Sequence, residues 1–155
     1  MGPNHEYPVK ITRVIDGDTV DADIDLGFNE YKKDRIRLIG IDTPESRTRN
    51  KKEKALGLAA KARLKELIAQ APLMPGKRGK KAIFLKTTKD GKGKFGRILG
   101  TLLIGEVDVC ETLISEGHAR PYFGGSKNEQ GPWTQETDGA WYRWTVTGYV
   151  EIENG

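Results

Sequence analysis

The stretch Arg35-Ile-Arg-Leu-Ile-Gly-Ile-Asp-Thr-Pro-Glu45 constrains this chain more than any other. Ile36, Leu38, Ile39 and Ile41 form an apolar, largely β-branched run, which reads as a buried strand. Pro44 has no amide proton and holds Thr43 extended, so the strand is expected to stop at Asp42. Asp42, Thr43 and Glu45 are then delivered onto its rim, with Arg37 upstream on the strand itself. Two acids and a guanidinium on one rigid element are a start for a metal and phosphate site. Taken alone, the stretch is described slightly better as a strand with an edge salt bridge and a polar turn, because acids after strands are common.

The rest of the composition narrows the class. A chain of 155 residues is long enough to bury one real core. Its 19 glycines point to many turns and short strands rather than a helical bundle. A formal charge of +4 leans mildly towards polyanions. Cys110 is the single cysteine, so an intrachain disulfide and a cysteine-based zinc cage are both excluded. His5 and His118 are the only imidazoles, which argues against a His-rich metal site. The N-terminus has no apolar signal-like run and no segment approaches membrane-spanning length, so an intracellular protein without membrane association is expected.

Taken in order, Pro8 to Ile15 reads as a first strand and Asp16-Gly17 as a tight turn. Asp18 to Asp25 alternates, with Val20, Ala22 and Ile24 on one face, and residues 26–34 turn the chain into the Arg35 strand. This meander places Asp18 near Asp42, which would supply a second carboxylate. Residues 46–54 are polar and basic, a solvated loop or a surface that steers a polyanion. Ala55 to Ala71 has helical periodicity, with Leu58, Ala62 and Leu64 widening its apolar face. Ala82 to Thr87 and Arg97 to Ile104 read as strands around a turn rich in glycine and lysine, which suits either a phosphate contact or a plain hairpin. Val107 to Gly117 reads as a second helix, with Asp108 and Glu111 spaced as a capping box, Gly117 as its stop and Cys110 facing inward. The sum is α+β and mainly β: a five-stranded OB-fold barrel with packed helices.

Val14-Ile-Asp-Gly-Asp-Thr19, Arg37-Leu-Ile-Gly-Ile-Asp-Thr-Pro-Glu45 and Lys94-Phe-Gly-Arg97 stand in the order and spacing seen in staphylococcal nuclease (thermonuclease) homologues. Glu53-Lys-Ala-Leu-Gly57 and Leu113-Ile-Ser-Glu-Gly-His-Ala119 also resemble that family, and the resemblance covers roughly residues 8 to 125. Each motif alone is weak; three in register are specific. The resemblance implies Asp18 and Asp42 as metal carboxylates, with Thr43 adding a backbone carbonyl. Such an all-oxygen set suits Ca2+. It implies Glu45 as the group that holds the attacking water, and Arg37 and Arg97 as the pair that grips the phosphate. Lys94, Phe95, Tyr122 and Phe123 fall where the family meets its substrate, although Phe95 stands where many members carry tyrosine. The activity implied is Ca2+-dependent hydrolysis of DNA and RNA, single strands preferred, leaving 3′-phosphate ends, with no obligate protein partner. The rival readings are a non-catalytic OB-type nucleic-acid-binding module and, more weakly, a calcium-binding accessory domain.

The end of the chain departs from the family, whose members usually finish in a charged helix. Residues 1–125 are expected to form the nuclease-like domain and 126–155 an extension packed on it. From Ala140 to Ile152 apolar and polar residues alternate as in one strand, burying Tyr142, Trp144, Val146, Val150 and Ile152. All three tryptophans, Trp133, Trp141 and Trp144, lie in this segment. A strand covering the barrel or its helices is the preferred reading, ahead of a base-stacking surface or strand exchange in a dimer.

Overall fold

The computed structural model describes residues 5–76, 79–92, 98–122 and 131–152. β1 (His5–Asp16), β2 (Thr19–Gly27) and β3 (Glu30–Leu38) form an antiparallel meander. β4 (Ile41–Asp42) follows, then α1 (Lys51–Ala69), β5 (Ile83–Lys92) and β6 (Ile98–Ile104). β5 pairs with both β1 and β6, and β6 runs parallel to β3, which closes five strands into a barrel of the expected OB type. β7 (Val107–Asp108) adds to the edge of β6 and leads into α2 (Val109–Ser115). β8 (Arg120–Pro121) pairs with β4. β9 (Thr134–Thr137), β10 (Ala140–Thr145) and β11 (Gly148–Glu151) make a separate three-stranded sheet.

The core follows from the period-two pattern. Val20, Ala22 and Ile24 of β2 point inward, and Ile36 and Leu38 of β3 join them with Leu85 and Leu102 from the far side. α1 covers one end of the barrel with Gly57, Ala60, Leu64 and Leu67. Arg63 of α1 grips Glu116 beyond α2 with two hydrogen bonds of 2.7 and 2.9 Å, and this holds the Glu116 carboxyl below its usual range. Asp108 caps α2 as its spacing predicts, accepting from the amides of Cys110 and Glu111, and Gly117 takes a positive φ just past the last turn.

Several sequence expectations are corrected. The Arg35 run is not one strand to Asp42. It ends at Leu38, Gly40 turns the chain at φ 78°, and Ile41–Asp42 pairs with β8 instead. β3 begins earlier, at Glu30, because Phe28 and Asn29 make a tight turn at positive φ and the residues after it extend the ladder. α1 begins at Lys51, inside the stretch read as a loop, because the Asn50 side chain accepts from the amides of Lys52 and Glu53. Leu58 and Ala62 are exposed, so the buried stripe of α1 is narrower than expected. The segment 140–152 is not a single strand. Val146 and Thr147 form the turn between β10 and β11, and Val146 and Val150 face solvent. Among the described residues no helix is long and apolar enough to cross a membrane.

Cys110 is buried behind α2, where desolvation pushes its thiol up to about 12. The thiolate is the reactive form. In the folded protein at pH 8, Ellman's reagent should therefore label Cys110 orders of magnitude more slowly than in denaturant. Prompt labelling of the native protein would show that α2 opens readily.

Candidate active site

The turn between β1 and β2 is pressed between α1 and the strand-end loop. A Cβ on Gly17 would lie 2.9 Å from the Ala60 Cβ and 3.1 Å from the Thr43 methyl, so only glycine passes here without displacing either. This seats Asp18 at the start of β2, nearly buried, with three donors around its carboxylate. Thr19 Oγ1 donates to Oδ1 at 3.0 Å, while Oδ2 faces Arg37 Nη2 at 3.3 Å and the Thr43 amide at 3.4 Å. The Arg37 guanidinium also donates to the carbonyls of Leu38 and, at 3.0 Å, Ile41. Its plane is thereby fixed by backbone as well as by charge.

Glu45 reaches the same place by another route. Its amide donates to the Glu53 side chain of α1 at 2.9 Å. A Cβ on Gly57 would lie against the Glu45 carbonyl and 2.6 Å from the Ser46 amide nitrogen, so helix and loop are in backbone contact. The Glu45 side chain is solvent-exposed on the rim of a cleft of about 280 Å³. Asp16, Asp18, Thr19, Arg37, Thr43, Pro44 and Arg47 line the rest of it. A larger recess of about 610 Å³, walled by Val9, Ile11, Tyr31, Ile68 and Ile83 among others, contains none of these groups. Lys10, Asp23, Asp25, Lys80 and Lys81 also line it, but Asp18, Arg37 and Glu45 converge in the smaller cleft.

Asp42 is placed differently from Asp18. It is 1% exposed and does not line the cleft; its Oδ2 accepts from Arg120 Nε at 3.2 Å and from the Trp133 indole at 3.1 Å. The two aspartates are linked through Thr43, whose amide meets Asp18 and whose chain neighbour is Asp42. The Thr43 hydroxyl is buried beside them with no hydrogen-bond partner among the described residues. Tyr122 is half-buried, and its amide donates to the Gly40 carbonyl at 2.9 Å. Lys94, Phe95, Arg97 and Phe123 lie outside the described residues.

Residues 35–137 match the family described as Staphylococcal nuclease homologue. The chain belongs to the staphylococcal nuclease family. It is 34% identical over 113 residues to endonuclease YncB of Bacillus subtilis, an alignment covering 72% of this chain and 46% of that protein. It is 31% identical over 119 residues to a thermonuclease of Staphylococcus hyicus, covering 77% of this chain and 62% of the relative. A thermonuclease of Staphylococcus intermedius is 34% identical over 113 residues, covering 73% and 58%. The chain thus spans less than two thirds of the length of each of these relatives.

Within this family member the cleft contains residues that sequence reasoning passed over. Asp16 was read only as a turn residue, yet it lines the cleft and accepts a hydrogen bond from the Ser46 hydroxyl. The pair of acids flanking Gly17 is the signal for it. Arg47 belongs to the basic run taken as a loop or steering surface, and only the fold singles it out. Arg120 and Trp133 carry no local motif and meet Asp42 from 78 and 91 residues away.

The contact at Gly57 makes a prediction whose sign separates two effects. Helix propensity alone says that Gly57→Ala stabilises α1 by about 1 kcal/mol. Overpacking against the Glu45–Ser46 backbone should outweigh that and destabilise the protein by about 1–3 kcal/mol. Urea unfolding decides between them: a raised midpoint would mean that the loop yields at little cost.

Proposed function

We propose that this protein is a Ca2+-dependent nuclease that hydrolyses phosphodiester bonds of DNA and RNA, prefers single strands and leaves 3′-phosphate ends. The observation that carries the reading is the convergence of Asp18, Arg37, Thr43 and Glu45 in one cleft of a staphylococcal nuclease family member. The names of the relatives, endonuclease and thermonuclease, support it. Residues 126–155 are read as an extension of a domain formed by 1–125. Supporting this are hydrogen bonds from Trp133 to Asp42, from Asn50 to Thr134 and from Arg143 to the Gly117 carbonyl.

The donors at the cleft suit a hard divalent cation in kind: Asp18 and Glu45 offer carboxylate oxygens, and the orphaned Thr43 hydroxyl is the buried polar atom such an ion would satisfy. Among the described residues no three acids, histidines or cysteines stand close enough together to form a finished cage. Asp18, Asp42 and the Thr43 carbonyl are the residues assigned to hold the cation. When bound, it supplies neutralisation of the negative charge that builds on the phosphate.

The chain's own residues supply the rest. Arg37, fixed by the Leu38 and Ile41 carbonyls, presents a planar forked cation to the phosphate oxygens. Arg97 is assigned as its partner in that grip. Glu45, held at the rim through Glu53 and Gly57, accepts the proton of the attacking water. The water oxygen bonds to phosphorus as the bond from phosphorus to the 5′ oxygen breaks. That oxygen leaves as a hydroxyl with a proton from solvent, and the phosphate remains on the 3′ oxygen. Lys94, Phe95, Tyr122 and Phe123 are assigned to the substrate on either side of that bond.

Labelled single-stranded DNA and RNA, incubated with Ca2+, Mg2+ or EDTA, test the proposal through the ends produced. Cleavage to 3′-phosphates with Ca2+ and none in EDTA is expected. Binding without cleavage in any metal would make the protein an OB-type binding module.

Two variants probe the assignments. Asp18→Ala should abolish the Ca2+-dependent rate while the circular dichroism spectrum is retained, and unaltered turnover would remove Asp18 from the site. Arg37→Lys keeps the charge and loses the fork, so turnover should fall roughly 10²-fold or more, as for a lost oxyanion donor. A near wild-type rate would reduce Arg37 to a structural residue.

A further inference from the structure

The C-terminal segment reaches the interior of the protein where β9 begins, at Trp133 and Thr134. Trp133, directly before β9, is 3% exposed, and its indole N–H ends 3.1 Å from Asp42 Oδ2. Arg120 Nε reaches the same oxygen at 3.2 Å. The guanidinium carbon of Arg120 lies 4.5 Å from the Trp133 ring centre and 5.4 Å from that of Trp144, and the two rings meet edge to face at 5.5 Å. Arg120 Nη1 is buried without a hydrogen-bond partner among the described residues, so the ring faces are its compensation. Backbone bonds lock the arrangement: Asp42 pairs with Arg120 across β4 and β8, and the Trp144 amide donates to the Trp133 carbonyl at 2.8 Å. Beside it, Asn50 at the start of α1 donates to Thr134 Oγ1 at 3.0 Å.

We infer that Trp133 is a positioning residue for Asp42: its indole N–H and the Arg120 guanidinium hold one carboxylate oxygen, and so fix how that aspartate is presented beside Thr43. The inference rests on the cation reading proposed above. A second donor that reaches a carboxylate oxygen from another direction narrows the range of its last side-chain torsion. Here one donor comes from the barrel side, through β8, and the other from the C-terminal sheet. Charge alone does not require the second donor, because Arg120 already pairs with the acid. The indole adds direction. A residue outside the five-stranded barrel thereby takes part in the site.

The readout is Ca2+ affinity. Trp133→Phe keeps the ring against Arg120 and deletes only the N–H. It should weaken Ca2+ binding by calorimetry roughly ten-fold or more, the effect usual for a lost partner of a metal ligand. Trp144→Phe alters the same aromatic cluster but no bond to Asp42. It should cost Ca2+ binding less than the roughly ten-fold of a lost ligand partner, whatever it does to Tm, because the indole N–H at Asp42 is untouched. In the wild-type protein, the indole N–H resonance of Trp133 should shift on Ca2+ titration while that of Trp141 stays in place; this arm stands even if Trp133→Phe fails to fold. Measurable Ca2+ binding in the wild type with an unmoved Trp133 resonance, or an unchanged constant in Trp133→Phe, would overturn the inference alone. So would an equal loss in both tryptophan variants, which would mark general packing. Absence of any Ca2+ heat in the wild type would remove the cation reading itself, and this inference with it.

Discussion

Three pairings between parallel strands hold the barrel shut, and the cleft exists because they do. Ile36, Arg37 and Leu38 of β3 lie beside Ile98, Leu99 and Gly100 of β6. On its other side β6 meets β5 closely at Gly100, where a Cβ would lie 2.7 Å from both the Leu85 side chain and the Lys86 carbonyl. Just past the seam, the Leu38 amide donates to the Asp18 carbonyl at 2.8 Å and the Ile39 amide to the Gly100 carbonyl at 2.9 Å. Three strands are pinned at one spot by main-chain bonds. Asp18 and Arg37 therefore come to the same end of the barrel without relying on their own attraction. Their ion pair is a result of the topology rather than its cause.

The alternation of β2, the capping of α2 and the five barrel strands were legible because each is written in short-range periodicity or spacing, whereas β4 was not. The Arg35 stretch shows where that legibility stops. Arg35 and Arg37 share one face of β3, and the sequence treats them alike. The ladder places Asp21 opposite Arg35 and Thr19 opposite Arg37. Arg35 accordingly finds a carboxylate at 2.8 Å on the barrel's exterior, the edge salt bridge of the simpler reading, while Arg37 turns to the cleft. The kink at Gly40 was hidden because an apolar run carries no mark of where its hydrogen bonding changes partner. The hairpin of β10 and β11 was missed for a related reason: Val146 and Thr147 keep the alternation going through a turn that lacks the usual turn residues before Gly148.

Charge is handled in opposite ways on the two sides of Thr43. Asp18 and Arg37 line the cleft and keep an edge towards water. Asp42 and Arg120 are sealed, and removing such a pair from water costs several kcal/mol per ion unless fixed dipoles and good geometry offset it. Burial of this kind is poor evidence for stability. It is better evidence that one orientation of the aspartate is specified, as the shared oxygen and the stacked rings require.

The separation of these contacts along the chain orders their assembly. The meander of β1 to β3 closes over short loops and β5 pairs with its neighbour β6, so these parts arise early, while the β1–β5 and β3–β6 pairings that close the barrel span long separations and come later. Trp133 meets Asp42 across 91 residues and Asn50 meets Thr134 across 84. A ribosome releases the N-terminal part first, so Asp42 and then Arg120 emerge before Trp133 does. Until the indole docks, the Asp42 oxygen has one of its two donors, and the barrel stands as a scaffold with an unfinished corner.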